Sequence, residues 1–370
     1  MSGSPNEVER VKPSVGFLGP RASYTHQASM RVFPEAEWKL KPLVTIPDIF
    51  EAVQAEEVAF GVVPFENSTN GSVLFTLDCF ADRNRLSPDI AVCGEIYLDV
   101  HHFLVGRLPP GAEVTKASSS TAAVPTPNPA GPSADDHGSG ACTPTASEPH
   151  PPKSRAKPLT DLSHVHRLYS HPQAWGQCSA FLQTYLKGIE AIDVSSTSRA
   201  AELVSQDESG TSAAISSEIA AQLCGVDVLA ANIEDRADNT TRFFVIRKIG
   251  SGNGETGGSG CDLPESLKHG RSRGSGLAEG KTKSMVSFII PHEAPGALAD
   301  VLESFRKFRL NLTSLNSRPS LEKPFQYIMF VEFEGHKLKD ADGRVKGALE
   351  GVGKSAQTWR WLGSWEDQRA

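Results

Sequence analysis

Uncharged polar side chains in this chain follow short apolar runs, at the points where predicted strands give way to helices. Val15 to Leu18 leads into Gly19-Pro20, and Ala59 to Val63 leads, after Pro64-Phe65, into Glu66-Asn67-Ser68. Hydroxyl and amide groups at such corners bind anions together with the N-terminal ends of the helices that follow, without any net positive charge. This chemistry suits a small acid that carries more than one negative charge and is held in a cleft.

The same arrangement recurs further along the chain. Val165 to Tyr169 leads into Ser170, Asp193-Val194 leads into Ser195-Ser196-Thr197, and Thr211 to Ile215 leads into two serines. A strand, a polar corner with a helix N-cap and an amphipathic helix form the repeating unit of α/β proteins, whose ligands lie beyond the carboxyl ends of the strands. Because α/β proteins in general cap their helices in this way, ordinary capping stays open as the alternative to a ligand-binding cleft.

The composition argues against several classes of protein. The net charge is −7 and no long Lys/Arg run is present, so a nucleic-acid partner is not expected. No stretch approaches about 20 consecutive apolar residues, so no membrane partner is expected either. The six cysteines form no CxxC pair, which favours reduced thiols over disulfides or a zinc site. With no secretory signal visible in the first 14 residues, the expected location is cytoplasmic.

Two segments of biased composition divide the chain. Residues 109–160 hold 11 prolines and no aromatic residue, which predicts a disordered insert. Residues 250–283 hold 10 glycines, which predicts a flexible linker. A GxGxxG match at 252–257 is not followed by a helical apolar period, so no dinucleotide site is predicted there. The expected ordered blocks are 15–108, 161–249 and 284–370.

Four motifs carry a resemblance to a known family. They are GFLGPRASYTHQA at 16–28, Val63 to Ser68, Ser170 to Leu182, and Thr241-Arg242-Phe243 with Asp235 upstream. In these motifs and in their order the chain resembles prephenate dehydratases. The resemblance implies an α/β fold with a two-lobed catalytic domain like type II periplasmic binding proteins over 15–249, and an active site between the lobes. Lobe 1 would comprise 15–108 and 230–249, and lobe 2 would comprise 161–228.

The resemblance also implies a reaction, the decarboxylating dehydration of prephenate to phenylpyruvate with release of CO₂ and water, in phenylalanine biosynthesis. Formation of the aromatic ring drives this reaction, so no cofactor and no metal are expected. The enzyme must protonate the departing hydroxyl or hydrogen-bond it strongly. Thr241 is the predicted donor, and Glu66 is the second catalytic candidate, as an acid if burial raises its pKa.

The predicted substrate-binding residues lie mainly in the same motifs. They are Asn67, Ser68, Ser170, Gln177, Thr197 and Arg242. Ser170 and Gln177 are implied by the resemblance, and their ordinary alternatives are an N-cap and an exposed helical amide. Glu66 has a helix-first-turn alternative and Thr197 an N-cap alternative. Arg242 is expected either to pair with a substrate carboxylate or to brace the crossover between lobes.

Residues 284–370 predict the element order βαββαβ, which is ferredoxin-like. This block looks like the ACT domain that binds phenylalanine between paired subunits in many members of the family. The residues expected to bind the effector are Gly296, Ala297, Leu298, Asn316, Ser317, Arg318 and Pro319. Asn316 stands where the family has Glu, and Ser314 stands where a basic residue is common. Feedback inhibition by phenylalanine in a homodimer or homotetramer is the expectation, and a module for dimerisation alone is the alternative.

Two other functions stay open. One is an arogenate dehydratase, against which the lack of an evident plastid transit peptide argues. The other is a non-catalytic sensor of keto acids or amino acids on the same fold, against which the intact Thr241 argues. The short stretch before residue 15 leaves no room for the chorismate mutase that is fused to some relatives, so a monofunctional enzyme is expected.

Overall fold

A computed structural model describes residues 12–108, 154–250, 261–269, 281–291 and 293–369. The chain has a mixed α/β fold with two compact units, one made of residues up to Asp99 and from Thr240 onward, the other of Val100–Asn239. The strands are β1 (Ser14–Leu18), β2 (Lys39–Leu43), β3 (Phe60–Asn67), β4 (Gly71–Ser72), β5 (Ile90–Asp99), β6 (Phe103–Gly106), β7 (Arg167–Ser170), β8 (Glu190–Asp193), β9 (Ser212–Ser216), β10 (Asp227–Ala230), β11 (Thr240–Lys248), β12 (Thr282–Ile289), β13 (Leu312–Pro319), β14 (Tyr327–Glu334) and β15 (Thr358–Glu366). The helices are α1 (Tyr24–Val32), α2 (Ile46–Gln54), α3 (Leu74–Ala81), α4 (Pro172–Gln177), α5 (Ser179–Tyr185), α6 (Thr197–Gln206), α7 (Glu218–Cys224), α8 (Glu265–Lys268), α9 (Ala297–Lys307) and α10 (Arg344–Ser355).

The N-terminal part of the first unit alternates strands and helices. β1 pairs in parallel with both β2 and β3, because α1 and α2 carry the chain back before each new strand. Helix α1 begins after Ser23, whose side chain accepts a hydrogen bond from the His26 backbone N–H. Helix α2 begins with a reciprocal capping box between Thr45 and Asp48. Local capping therefore defines where each of these helices starts.

Strand β11 joins this sheet from a distant part of the chain. It lies between β3 and β5 and is antiparallel to both. Phe243, Phe244, Val245 and Ile246 are all buried, as expected for a central strand that is covered on both faces. The pairing with β3 places residue 241 directly opposite residue 67.

The C-terminal part of the first unit has the order β12, α9, β13, β14, α10, β15. Its strands are adjacent in the order β13, β14, β12, β15, and α9 and α10 share one apolar core with them through residues such as Val301, Phe305 and Val352. Strand β15 reaches β5 through one parallel pair, Gly363 with Val92. A Cβ atom on residue 363 would lie 2.1 Å from the Val92 carbonyl oxygen, and φ there is +134°, so this junction requires glycine.

The second unit contains a separate sheet in the order β10, β6, β9, β7, β8. β7 is parallel to β8 and β9, while β6 is antiparallel to β9 and β10. Ser170, Asp193 and Ser216 are the last residues of the three parallel strands. The polar corners predicted from the sequence therefore lie at one edge of this sheet.

The boundaries of the predicted lobes differ from those of the two units. Residues 100–108 and 230–239, expected in lobe 1, belong to the second unit, because β6 hydrogen-bonds to β9 and β10. In the predicted insert, residues 154–160 are placed, and the Leu159 backbone N–H donates to the Leu229 carbonyl. Residues 109–153, the rest of the insert predicted to be disordered, lie outside the described residues.

Part of the predicted linker 250–283 has regular secondary structure, while residues 251–260 and 270–280 lie outside the described residues. Residues 261–269 contain helix α8, whose Leu267 is buried against the first unit, and β12 already begins at Thr282. The 252–257 glycine motif lies outside the described residues. Within the described ranges, no helix has the length and apolar character that a membrane crossing needs, and no cluster of three His, Cys, Asp or Glu side chains is arranged to hold a metal ion.

Candidate active site

Thr241 and Asn67 form a direct side-chain contact. They face each other across β11 and β3, and Asn67 Nδ2 donates a hydrogen bond to Thr241 Oγ1 at 2.9 Å. The neighbouring residues fix this register, since the Ser68 backbone N–H donates to the Thr240 carbonyl at 2.9 Å and Ser68 Oγ accepts from the Thr240 N–H at 3.0 Å. The structure therefore brings three sequence-predicted residues, 67, 68 and 241, to one place.

The orientation of the Asn67 amide is fixed on its other side. Asn67 Oδ1 accepts hydrogen bonds from the backbone N–H groups of Thr69 and Asn70, each at 3.0 Å. The amide nitrogen is therefore the atom that faces Thr241, and the threonine oxygen accepts from it. Within the described residues the Thr241 hydroxyl donates to no other group, so its proton is available to a ligand.

Glu66 lies beside this pair but not at a helix start. It belongs to β3 and pairs with Arg242 of β11 and Ser72 of β4, while α3 begins only at Leu74. The helix-first-turn alternative is therefore wrong. Its side chain is 41% exposed and lies 4.0 Å from Arg242 Nη1, so the burial that the general-acid prediction requires is not present here.

Arg242 points into a buried group of charges. Its Nε donates to Glu95 Oε2 at 2.9 Å, and its Nη2 lies 2.5 Å from Glu332 Oε2. Burial disfavours the charged guanidinium, but the two carboxylates outweigh this effect and raise the pKa of Arg242. Two roles were expected for Arg242, pairing with a substrate carboxylate or bracing the crossover between lobes. These contacts favour a bracing role, but the strands that Arg242 joins are β11, β5 and β14.

In the second unit, Ser170 is a buried strand-end residue. Its Oγ donates to the Ile215 carbonyl of the neighbouring strand at 3.0 Å. The N-cap of α4 is the next residue, His171, whose Nδ1 accepts from the Gln173 N–H at 3.3 Å. The N-cap alternative for Ser170 is therefore wrong. His171 thus has the structural role of a helix cap.

Gln177 and Thr197 also differ from their ordinary alternatives. Gln177 is half-buried and is the last residue of α4, which is separated from α5 by Cys178. Thr197 is the first residue of α6, and its N-cap is Ser196. Cys178 is fully buried in the apolar core of this unit, where burial raises the pKa of its thiol, so a packing role fits.

His102 was not among the residues predicted from the sequence. This side chain is 2% exposed, and its Nε2 lies 2.6 Å from Gln177 Oε1. Since an amide oxygen only accepts, this contact requires the proton on Nε2 and leaves the Gln177 amide nitrogen as a donor. The His102 backbone N–H donates to Glu234, which also contacts His101. Burial lowers the pKa of His102, so the ring is neutral near pH 7. The only signal in the sequence is the adjacent pair of histidines directly after a strand.

The residues expected to bind an effector fall into two groups. Gly296 precedes α9 with φ +83°, and Ala297 and Leu298 form the first turn of that helix. Asn316, Ser317, Arg318 and Pro319 end β13. Three of these four contact the N-terminal part of the same unit, through the pairs Asn316–Ser72, Arg318–Asp78 and Pro319–Arg83, while Ser317 is exposed.

The fold defines a class, a mixed α/β protein with uncharged hydrogen-bonding groups at strand ends, an arrangement that suits the binding of a small acid. A family model described as prephenate dehydratase matches residues 15–124 and 155–250, which is more than half of the chain. The chain belongs to the prephenate dehydratase family.

Individual relatives agree with this family. The chain is 31% identical to a bifunctional chorismate mutase/prephenate dehydratase of Aquifex aeolicus, over 96% of this chain and 74% of that protein. It is 27% identical to a probable prephenate dehydratase of Saccharomyces cerevisiae, over 93% of each chain. Among solved structures, prephenate dehydratase from Arthrobacter aurescens in complex with L-Phe is similar, with a TM-score of 0.67 and 26% identity over 96% of this chain and 90% of that one.

Proposed function

We propose that this chain catalyses the conversion of prephenate to phenylpyruvate, CO₂ and water, as a step of phenylalanine biosynthesis. The observation that carries the proposal is the contact of Asn67 Nδ2 with Thr241 Oγ1 at 2.9 Å. This contact leaves the Thr241 proton to be donated, in a chain that belongs to the prephenate dehydratase family.

The chemistry fits these two side chains. The bond between the ring and its carboxylate breaks, its electron pair enters the ring, and the carbon–oxygen bond of the opposite hydroxyl breaks as the ring becomes aromatic. The departing oxygen takes a proton and leaves as water. Thr241 supplies that proton or a strong hydrogen bond, and negative charge builds on Oγ1 as it does so. The Asn67 N–H group already points at Oγ1 and stabilises this charge.

The test compares the kcat of variants at two adjacent threonines, Thr241 and Thr240. Thr241→Ala lowers kcat by about 10²- to 10³-fold, whereas Thr241→Ser keeps most of the activity because it retains the hydroxyl. Thr240→Ala is the matched control, since the Thr240 hydroxyl donates to Asp99 instead. Phenylpyruvate formation is followed by absorbance. Near-normal turnover of Thr241→Ala would remove Thr241 from the reaction.

Substrate binding is proposed for Asn67 and Ser68 beside Thr241, and for Ser170, Gln177 and Thr197 of the second unit. The Gln177 amide nitrogen is supported as a donor by the His102 contact. Glu66 is proposed to orient the substrate rather than to act as an acid, because its side chain is 41% exposed.

For the C-terminal part, we propose an ACT-type regulatory module that binds phenylalanine through Gly296–Leu298 and Asn316–Pro319 in a homodimer or homotetramer. The βαββαβ order supports it, and so does the similar structure from Arthrobacter aurescens, which is described as a complex with L-Phe. Calorimetric titration with phenylalanine and velocity measurements in its presence test the module. Absence of both binding and inhibition at millimolar phenylalanine would refute it.

Arogenate remains the alternative substrate, with an amino group in place of the keto group of prephenate. Purified protein assayed on both compounds side by side decides between them through the ratio of kcat/KM values. Inactivity on both would favour the non-catalytic sensor.

A further inference from the structure

Five charged side chains form a buried ionic cluster in the first unit: Arg242, Lys283, Glu95, Glu332 and Asp367. Glu95 contacts Arg242 at 2.6 Å and Lys283 at 3.1 Å, and Lys283 also contacts Asp367 at 3.0 Å. The Glu95 and Glu332 side chains are 0% and 2% exposed. These groups come from both the N-terminal and the C-terminal parts of the unit.

Such a cluster is a poor device for stability alone. Removing charges from water costs free energy that their mutual attraction only partly offsets, and apolar residues of the same volume often serve as well. A buried arginine held by two carboxylates has, however, one defined geometry, because its planar donors match the acceptors in direction as well as distance. The cluster therefore fixes the position of Arg242.

Arg242 directly follows Thr241 on β11, at an irregular point of the ladder. The pairing of β11 with β3 shifts between Arg242, opposite Glu66, and Phe243, opposite Pro64. At a bulge the ladder of backbone hydrogen bonds is interrupted, so it constrains the strand less than in a regular sheet. Bulges next to active sites often change the direction of a particular side chain. The guanidinium anchors the backbone at this position, one residue from the Thr241 hydroxyl.

One of the two anchors belongs to the C-terminal part. Glu332 lies on β14, and its Oε1 accepts a hydrogen bond from Thr313 Oγ1 of β13 at 2.6 Å. β13 is the strand that ends in Asn316–Pro319, the residues proposed to bind an effector. Glu332 is therefore bonded on one side to that strand and on the other to the neighbour of Thr241.

We propose that Glu332 is a positioning residue, which aligns Thr241 through Arg242 and transmits the state of β13 to the turnover rate. This inference rests on the proposed dehydratase function. A shift of β13 moves the Glu332 carboxylate, the guanidinium follows it, and the Thr241 hydroxyl leaves its alignment.

The test compares two glutamates of β14. Glu332→Gln keeps size and polarity but removes the charge, while Glu334→Gln, two residues along the same strand, is the control because the described residues include no side-chain partner for Glu334. We expect Glu332→Gln to lower kcat about tenfold with KM for prephenate within about twofold of wild type, and Glu334→Gln to change neither. We also expect Glu332→Gln to bind phenylalanine but to lose most of its inhibition.

Folding and function are separated in the same experiment. Rates are normalised to folded protein measured by circular dichroism well below the melting temperature. If Glu332→Gln does not fold, Thr313→Val serves instead, because it leaves every charge in place and should lower kcat about threefold. If the folded variant keeps both its kcat and its inhibition by phenylalanine, the role proposed for Glu332 is refuted, while the proposed dehydratase function is unaffected. Inactive wild-type protein would instead refute the proposed function. If phenylalanine does not inhibit the wild type, the role of Glu332 is judged from kcat alone, by comparing Glu332→Gln with Glu334→Gln.

Discussion

Arg318 holds Asp78 through two parallel hydrogen bonds, Nε to Oδ1 at 2.8 Å and Nη2 to Oδ2 at 2.7 Å. The pair joins β13 of the C-terminal part to α3, which follows the segment that carries Asn67. Arg83 makes a third bond to the same carboxylate and also donates to the Pro319 carbonyl. The Asp78 carboxylate is thus a shared acceptor for Arg318 of the strand proposed to bind the effector and for Arg83 of the N-terminal part.

Replacing Asp78 by Asn should therefore destabilise the first unit. The two side chains are 28% and 23% exposed, so solvent screens part of the interaction, and we expect a loss of about 1 kcal/mol in the free energy of unfolding. Urea unfolding of the wild type and of Asp78→Asn measures this loss. Asp342→Asn is the control, since that side chain is 81% exposed and its Arg344 contact is 3.9 Å long. Equal effects of both substitutions would contradict the prediction.

The same pair predicts a pH dependence of stability. Partial burial raises the pKa of Asp78, but hydrogen bonds from Arg318 and Arg83 outweigh burial and hold that pKa below its usual value of about 3.8. A carboxyl group whose pKa is lower in the folded state stabilises the protein above its unfolded pKa, and this contribution disappears as the pH falls through the folded pKa. The difference between wild type and Asp78→Asn should accordingly be constant above about pH 5 and shrink below about pH 4. A difference that persists at lower pH would argue against the ion pair.

Gly363→Ala tests the junction of β15 with β5. The new Cβ would lie 2.1 Å from the Val92 carbonyl oxygen, in a backbone conformation that alanine rarely adopts. We expect a loss of about 3 kcal/mol or more in the free energy of unfolding. Gly343→Ala, also at positive φ but with no atom within 4 Å of the added Cβ, should lose only about 1 kcal/mol. Guanidinium unfolding of both variants gives the comparison, and similar losses would show that the close approach is not rigid.

His102→Phe should weaken substrate binding through Gln177. The phenyl ring keeps the packing but removes the Nε2 donor, so the Gln177 amide is no longer fixed. We expect kcat/KM to fall about tenfold, mainly through KM, because an oriented donor to the bound acid is lost. His166→Phe, at an exposed position, is the control. A fall in kcat at constant KM would instead assign His102 to the chemical step.

Local features of the sequence predicted much of the architecture. The apolar spacing around Val301 and Phe305 predicts one buried face for the helix that the structure has at α9, and both residues are buried. Short apolar runs followed by Ser or Thr marked the starts of α6 and α7, each of which has a serine N-cap. These features are visible because helix periodicity and capping involve residues within a few positions of one another.

The residues near Glu66 and Asn67 in the sequence do not determine that both belong to a strand. Polar residues after Pro64 suggest the end of a strand, yet β3 continues to Asn67 because β11, more than 170 residues later, pairs with it. The same pairing creates the contact between Asn67 and Thr241. A cross-strand register of this kind depends on which strands become neighbours, which spacing along the chain does not reveal.

The amino-acid sequence alone determined which polar residues follow strands and where many helices begin. It also contained the motifs of one enzyme family. Only the tertiary structure decided that Arg242 turns to Glu95 and Glu332, and that His102 fixes Gln177. The physical reason is that a buried charge or polar group takes whatever partner the folded core places within hydrogen-bonding distance, and Glu332 lies 90 positions from Arg242 in the sequence.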